Sequence, residues 1–285
     1  MTRKSIVVPE YQTEQNKPGG SMELGLQNKV AIVCGASQGM GQAIACGLAN
    51  EGARVLLVAR NAERLTAAAA AILAQNTNAQ LATLAIDLTP ADSAEEVVKT
   101  VKARWGRLDV LVTNTGGPPP GQPLDLSDEQ YLLAYQQNFM NVVRLCRHAV
   151  PAMRVHGYGR IINMLALSVR QIEDNLVLSS TSRLSVVAYA RYLAEQVAAE
   201  GITVNNVLPG SIHTERLAQV AAMQATHFGR NPLAELDVRA ERVPMKRLGK
   251  PEEMADLVSF LASERAGFLT GLSIPVEGGQ LRSVL

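Results

Sequence analysis

Three glycines follow a short apolar run near the start of the sequence, in an arrangement that suits the binding of a phosphate group. The run is 30–34, and the glycines stand at positions 35, 39 and 41, ahead of a stretch of helical length. Glycines at such a turn let the backbone approach a pyrophosphate, and the following helix N-terminus offers free N–H groups and a positive dipole. The turn predicts a nucleotide site, the alternative being a tight packing turn. The residues expected to contact the nucleotide here are Gly35, Ser37, Gln38, Gly39, Met40 and Gly41.

The end of the next apolar run indicates which dinucleotide is bound. Ala59 is followed by Arg60, and no carboxylate stands at this point. An acidic residue there would bind both ribose hydroxyls and repel a 2′-phosphate, whereas an arginine fork suits a phosphate dianion. The sequence therefore favours NADP(H), with Arg64 one helical turn further on as an assisting group. The alternative is that Arg60 is a solvated surface charge.

These residues must be positioned by the elements around them, and short apolar runs alternate with segments of helical length along most of the chain. The runs predicted as strands are 30–34, 54–59, 80–86, 110–113, 160–164, 203–207 and 272–276. The predicted helices between the first of them are 41–51, 62–75 and 91–105, the last opened by Thr89 as N-cap and Pro90. Nearly continuous apolar runs are typical of strands covered on both faces. The pattern predicts an α/β fold with a doubly wound parallel sheet of the Rossmann type, in a single domain over 22–285.

The glycine spacing and several later motifs resemble the short-chain dehydrogenase/reductase family over nearly all of residues 24–280. The spacing is Gly-x-x-x-Gly-x-Gly, and 113–116 (Thr-Asn-Thr-Gly) resembles the family's Asn-Asn-Ala-Gly turn. The segment 209–214 resembles its Pro-Gly segment beside the nicotinamide, and 247–253 and 271–279 resemble its C-terminal signature. Asp87 and Leu88 resemble the family's adenine-contacting pair. The further cofactor contacts that this resemblance implies are Asp87, Leu88, Asn114, Gly116, Arg183, Pro209, Gly210, Ile212 and Thr214.

The resemblance also locates the catalytic positions, and three of them are altered. Family members carry an Asn, a Ser and a Tyr-x-x-x-Lys pair, and Asn138 matches the Asn. Ala166 stands at the Ser position, Ser179 at the Tyr position and Arg183 at the Lys position. The resemblance thus implies the catalytic set Asn138, Ser179 and Arg183, with Ser179 and Arg183 on one helical face.

The replaced side chains change what proton chemistry is available. Arg183 is expected to hold ribose hydroxyls and stabilise a developing oxyanion, with a pKa above about 12 that excludes proton donation near neutral pH. Ser179 is a poor acid beside Tyr, whose reference pKa is about 10. The family's second basic residue inside the glycine turn is also absent, since Gln38 stands there. The nearby Ser168, Ser180 and Ser182 are expected to cap or pack rather than to substitute.

Two functions follow from this combination. The first is an NADP(H)-dependent oxidoreductase that reduces a carbonyl, including 3-oxoacyl types, or a conjugated enone, with proton delivery from Ser179 through water, from solvent or from the substrate. The second is a catalytically inactive NADP(H)-binding protein that acts as a sensor or partner subunit. The segment 116–121 (GGPPPG), Ser179 and Arg183 resemble a divergent, 3-oxoacyl-carrier-protein-reductase-like branch of the family.

Composition excludes several other classes of partner. Lys plus Arg (27) nearly equals Asp plus Glu (26), and aromatic residues make up 4%, which argues against a nucleic acid and a polybasic membrane surface. No apolar run is long enough to cross a bilayer. Three cysteines without a Cys-x-x-Cys pair and four scattered histidines predict no disulfide framework and no metal site. We therefore expect a cytoplasmic protein with a small-molecule substrate.

The ends of the chain and the helices give the remaining expectations. Residues 1–21 are expected to be a flexible leader or an artificial extension, because Met22 opens the regular pattern. The family resemblance implies a homo-oligomer, a tetramer or a dimer, built on helices of about 127–150 and 176–200. The apolar residues that line this interface, or alternatively pack against the chain's own sheet, are Val186, Val187, Tyr189 and Leu193.

The segment 213–249 lacks a strand pattern and is predicted to be a mobile lid over the site. Within it, Met223 and Phe228 are candidates for the apolar lining of a substrate pocket, the alternative being an ordinary surface helix.

Overall fold

The computed structural model describes residues 23–227 and 231–284, and its centre is a seven-stranded sheet in which every pairing is parallel. The strands are β1 Val30–Cys34, β2 Arg54–Ala59, β3 Gln80–Ala85, β4 Val110–Asn114, β5 Gly159–Met164, β6 Ile202–Pro209 and β7 Ser273–Val276. Their order across the sheet is β3-β2-β1-β4-β5-β6-β7. The doubly wound α/β sheet predicted from the sequence is confirmed.

Helices cover both faces of this sheet. They are α1 Gly39–Asn50, α2 Ala62–Gln75, α3 Ser93–Trp105, α4 Asp128–Tyr135, α5 Asn141–Arg154, α6 Val177–Val197, α7 Glu215–His227, α8 Pro232–Arg242 and α9 Pro251–Ala262. Side chains from β1 alternate between two apolar clusters: Val30 and Ile32 pack with α3, α5 and α6, whereas Ala31 and Val33 pack with α1, α2 and α9. Burial on both sides explains why β1 is apolar at every position.

The strand order reverses at β1, which pairs with β2 on one side and β4 on the other. In open parallel sheets the crevice beyond the carboxyl ends of the strands at such a point is where ligands bind. The glycine turn follows β1, and the segments that follow β2 to β6 reach the same edge of the sheet. The topology therefore gathers the predicted site residues from distant parts of the chain.

The start of α3 differs from the prediction. The helix begins at Ser93, with Asp92 as its N-cap, so the predicted cap at Thr89 and start at Ala91 are wrong. The Asp87 carboxylate accepts hydrogen bonds from the Thr89 backbone N (2.9 Å) and Oγ1 (2.8 Å). This local turn holds 87–89 out of the helix. The bounds of all seven strands, and those of α1 and α2, lie within two residues of the prediction.

The helix predicted over 127–150 is interrupted. A π-helical turn, Gln136–Met140, separates α4 from α5, and α5 continues past Pro151 to Arg154. The pattern of apolar residues carries no signal for one extra residue in a turn, so the sequence predicted a single helix. Such π-helical turns are frequent at functional sites.

The segment 213–249 contains α7 and α8 and, within its described part, no strand. The predicted leader at 1–21 lies outside the described residues, as does Phe228, and the Met223 side chain is not described. Among the helices in the described ranges, none has the length and apolar character needed to cross a membrane.

Two of the three cysteines lie in the core. Cys34 and Cys146 are buried, and burial raises the pKa of each thiol to about 12. Cys46 is only partly buried, and its Sγ lies beside the side chains of Asn50 and Gln75. All three are free thiols.

The residues proposed for an oligomer interface contribute to the core. Val186 is fully buried in the cluster beneath α6, and Val187, Tyr189 and Leu193 pack partly against that cluster. Burial against the chain's own sheet is therefore the correct alternative for Val186. The exposed apolar side chains of α4 and α6 are different residues, Leu132, Leu133, Tyr135, Leu184 and Tyr192.

Candidate active site

A cavity of about 1110 Å³ opens at the carboxyl edge of the sheet, beside the point where the strand order reverses. The predicted site residues that line it are Gly35, Ser37, Gln38, Gly39, Met40, Arg60, Asp87, Leu88, Asn114, Gly116, Ser179, Arg183, Pro209, Gly210, Ile212 and Thr214. Gly41 and Asn138 are not among the residues that line the cavity. The structure thus brings the predicted residues to one place, while the role of each remains a prediction.

The glycine turn has the shape of a phosphate cradle. Gly35 has a φ of +60°, which favours glycine, and a Cβ at Gly41 would lie 2.1 Å from the Gly35 carbonyl oxygen. Gly41 therefore serves close packing of α1 on the turn and does not face the cavity. The helix begins at Gly39 with no acidic residue in its first turn, so its first amides are available to an anion. These features fit a dinucleotide pyrophosphate.

Two arginines line the cavity near the end of β2. Arg60 is exposed, and Arg64 on α2 donates from Nη1 to the Gln38 side-chain oxygen. The same Nη1 lies 3.6 Å from Oε2 of Glu215. Gln38 occupies the position where the family often carries a basic residue, and Arg64 brings a positive charge to that place from a neighbouring helix. The pair fits a 2′-phosphate.

The carboxylate of Asp87 is fixed in place beside these arginines. Hydrogen bonds from the backbone and hydroxyl of Thr89 lower the pKa of Asp87, and the charge of Arg60 lowers it further. Asp87 is therefore an ionised acceptor at neutral pH. It can accept a hydrogen bond from an amino group such as that of adenine.

A chain of hydrogen bonds joins the predicted catalytic residues. Arg183 donates from Nη1 to the Ser179 hydroxyl and from Nη2 to the Thr115 carbonyl (3.4 Å). The Thr115 hydroxyl donates to Asn138 Oδ1 (2.9 Å), and Asn138 Nδ2 donates to the Ala134 carbonyl (3.0 Å). The π-helical turn places the buried Asn138 where this contact is made. Asn138 is therefore linked to Arg183 through Thr115, a residue that the sequence analysis named only within the turn 113–116.

Arg183 is a buried cation at the cavity wall. Burial lowers its pKa to about 10, with a smaller contribution from the charge of Arg216. The expected pKa above about 12 is therefore too high, although the group remains charged at neutral pH. Nε of Arg183 is buried and, among the described residues, has no hydrogen-bond partner. A buried donor with positive charge is suited to stabilising an oxyanion.

Thr214 and the first turn of α7 contact three parts of the cavity wall. Thr214 lies against the glycine turn, since a Cβ at Gly39 would be 3.3 Å from its methyl carbon. Glu215 pairs with Arg64, and Arg216 donates from Nη2 to the Gly117 carbonyl (3.4 Å). The predicted lid segment is therefore tied to both sides of the cavity. Sequence reasoning missed Glu215 and Arg216, because nothing in the chain order places them beside α2 or the loop after β4.

Comparison with known proteins identifies related sequences and structures over most of the chain. A family model described as enoyl-(acyl carrier protein) reductase matches residues 35–280. The NADPH-dependent reductase BacG of Bacillus subtilis is 30% identical over 261 residues, covering 91% of this chain and all of the relative. The 3-oxoacyl-[acyl-carrier-protein] reductase FabG of Escherichia coli is 31% identical over 256 residues, covering 90% and 98%. The structure of L-sorbose reductase from Gluconobacter frateurii, complexed with NADPH and L-sorbose, superposes with a TM-score of 0.88 at 32% identity, covering 92% of this chain and all of that one.

Proposed function

Because the chain belongs to the short-chain dehydrogenase/reductase family, we propose that it is a reductase that converts a substrate carbonyl to an alcohol. The observation that carries this proposal is the buried Arg183 at the cavity wall, bonded to Ser179 and, through Thr115, to Asn138. These side chains form a hydrogen-bonded array around a buried cation, and Arg183 and Ser179 line the same cavity as the residues that fit a dinucleotide. Such an array stabilises negative charge that develops on a substrate oxygen.

The cofactor is NADP(H). The glycine turn and the first amides of α1 would hold the pyrophosphate, and Arg60 and Arg64 would hold the 2′-phosphate. Asp87 would accept from the adenine amino group. BacG is named as an NADPH-dependent reductase and the L-sorbose reductase structure is a complex with NADPH, and both agree with this choice.

The proposed chemistry uses the chain's own groups for charge and proton. When bound, the reduced nicotinamide supplies a hydride to the carbonyl carbon. Arg183 holds the oxygen as it becomes negative, and the Ser179 hydroxyl, which accepts from Arg183, is free to donate its own proton to that oxygen. Ser179 then recovers a proton from water. Holding the two reactants in a fixed orientation accelerates the reaction further, because it lowers the activation free energy by several kcal/mol relative to reactants that meet free in solution.

Two substrate classes and one inactive alternative remain to be separated. The names of the FabG relatives support a 3-oxoacyl-type ketone, which is our choice. A conjugated enone is the second class, because its enolate is less basic than a simple alkoxide and Arg183 would stabilise that enolate. The alternative of a non-catalytic NADP(H)-binding sensor or partner subunit is favoured by the absence of a hydroxyl at Ala166 and of a phenol at Ser179.

Stopped-flow oxidation of NADPH with a panel of 3-oxoacyl thioesters, simple ketones and enones tests the proposal. We expect turnover of ketones that is lost in Arg183→Ala and reduced in Ser179→Ala. If turnover is lost in Arg183→Ala but fully retained in Ser179→Ala, the proton would be assigned to solvent. Tight binding of NADPH without reduction of any compound would overturn the reductase and support the sensor.

We also propose that the chain forms a homo-oligomer through α4 and α6, and that it is cytoplasmic. Leu184 and Tyr192 expose 53% and 78% of their surface on α6, and Leu132 exposes 67% on α4. Large apolar side chains exposed together on neighbouring helices favour association. A second copy of the same helices is the partner that the family resemblance implies.

A further inference from the structure

The loop after β5 carries a hydroxyl that the proposed mechanism does not yet use. Ala166 removes the hydroxyl expected at that position, but Ser168 follows two residues later, in the 3₁₀ turn Leu167–Val169. Ser168 is 7% exposed and lines the cavity together with Ala166, Ser179 and Arg183. Its Oγ has no hydrogen-bond partner among residues 23–227 and 231–284. A buried hydroxyl left unpaired is costly, which suggests that a ligand completes it.

The other two serines near the site are satisfied locally. The Ser180 hydroxyl donates to the Leu176 carbonyl (3.0 Å), and the Ser182 hydroxyl donates to the Leu178 carbonyl (2.6 Å). Both follow the usual pattern of a serine bonded to the preceding helical turn. The expectation that nearby serines pack or cap therefore suits Ser180 and Ser182, while Ser168 makes no such contact.

Two further observations associate Ser168 with Ser179 and Arg183. Its 3₁₀ turn packs against α6, the helix that carries Ser179 and Arg183, and against β6. Arg183 and Asn141 also line the cavity, and each has a buried polar atom, Nε and Oδ1 respectively, without a partner in the described part of the chain. Three residues of the cavity wall thus carry a buried polar atom whose hydrogen-bonding capacity the protein leaves unused, and two of these atoms are donors and one is an acceptor.

We propose that the Ser168 hydroxyl binds the substrate carbonyl oxygen, in place of the residue missing at position 166. It donates a hydrogen bond to the oxygen, and this bond strengthens as the oxygen becomes negative. No bond is made or broken at Ser168 itself; the hydride reaches the carbon and the proton comes from Ser179, as above. This role rests on the proposed carbonyl reduction.

The test compares Ser168→Ala with Ser182→Ala, a buried serine whose hydroxyl is paired. Each variant is assayed for NADPH binding, for kcat/KM with the best ketone of the panel, and for thermal unfolding. For Ser168→Ala we expect unchanged NADPH binding and a loss of about 100-fold in kcat/KM, as for one lost oxyanion donor. We also expect Tm to stay the same or to rise by up to about 2 °C, because an unpaired buried hydroxyl is removed. Ser182→Ala should lower Tm and keep kcat/KM.

A rescue variant and two contrary outcomes complete the design. Adding Ala166→Ser to Ser168→Ala returns a hydroxyl to the loop and should recover at least tenfold in kcat/KM. Wild-type kcat/KM in Ser168→Ala, or a fall in Tm like that of Ser182→Ala, would overturn the assignment. If the wild type reduces no compound, the proposed function fails; a higher Tm in Ser168→Ala then still supports a ligand-directed hydroxyl, and a lower Tm refutes it.

Discussion

Arg64→Gln should weaken NADPH binding without affecting NADH, because the proposed partner of Arg64 is the 2′-phosphate, which NADH lacks. The Arg64 side chain lines the cavity and is 53% exposed, and it is held toward the glycine turn by Gln38. A hydrogen bond to a charged group contributes about 1.5–3 kcal/mol, and solvent screening at this exposure reduces that to about 1–2 kcal/mol. The expected loss is therefore about 5- to 30-fold in the Kd for NADPH.

Removing the charge of the neighbouring Glu215 should have the opposite effect on NADPH affinity. Glu215 lies 3.6 Å from the Arg64 guanidinium, so it competes with a phosphate dianion for that group. Glu215→Gln should tighten NADPH binding by about two- to threefold, the equivalent of about 0.5 kcal/mol for an exposed ion pair. NADH affinity should stay the same in this variant as well.

Titration of nicotinamide fluorescence with NADPH and with NADH measures both effects. Arg147→Gln serves as the matched control, because Arg147 is an exposed arginine on α5 that does not line the cavity. An equal loss of NADH and NADPH affinity in Arg64→Gln would show that Arg64 acts on the fold of the site and not on the phosphate. Weaker NADPH binding in Glu215→Gln would refute the competition and make Glu215 a positioning residue.

Three further predictions concern the turn, the charge and the assembly. Gly41→Ala, whose Cβ would lie 2.1 Å from the Gly35 oxygen, should lower Tm by several degrees and weaken both dinucleotides at least tenfold in calorimetric titration; wild-type binding would contradict it. The pKa of Arg183, lowered to about 10, means that its charge is present at neutral pH and lost as pH rises through 10, so kcat/KM should decline above that pH; a level profile to a full unit above pH 10, in a protein that stays folded, would refute this role. Tyr192→Glu should give a smaller species by light scattering, whereas Val155→Glu, an exposed control at the end of α5, should not.

The parallel sheet was accessible to sequence reasoning because burial on two faces leaves a continuous apolar run, as in β1 and β2. The start of α3 could not be predicted in this way, because Thr89 has two competing partners. One is the helix that it was expected to cap, and the other is the Asp87 carboxylate. The carboxylate bonds Thr89, and α3 begins only at Ser93. Local hydrogen bonds of this kind depend on backbone geometry that the residue types alone do not specify.

The site was predictable where chain order alone brings residues together, as in the glycine turn and the end of β2. The site was less predictable where a contact joins residues from different helices, strands or loops. Asn138 was expected at the reacting centre, yet it reaches that centre only through Thr115. Ser168 and Ser182 look alike in the sequence, and only the three-dimensional surroundings show that one hydroxyl is paired and the other is not.

The packing of Gly41 changes how this position should be used in comparing related proteins. Its hydrogen faces the Gly35 carbonyl and not the cavity, so a larger side chain there would destabilise the fold itself. A descendant that no longer bound any nucleotide would still lose stability on replacing Gly41. Substitutions at cavity-facing positions such as Arg60 and Ser37 would indicate that nucleotide binding had been lost. A glycine retained at 41 would not show that it had been kept.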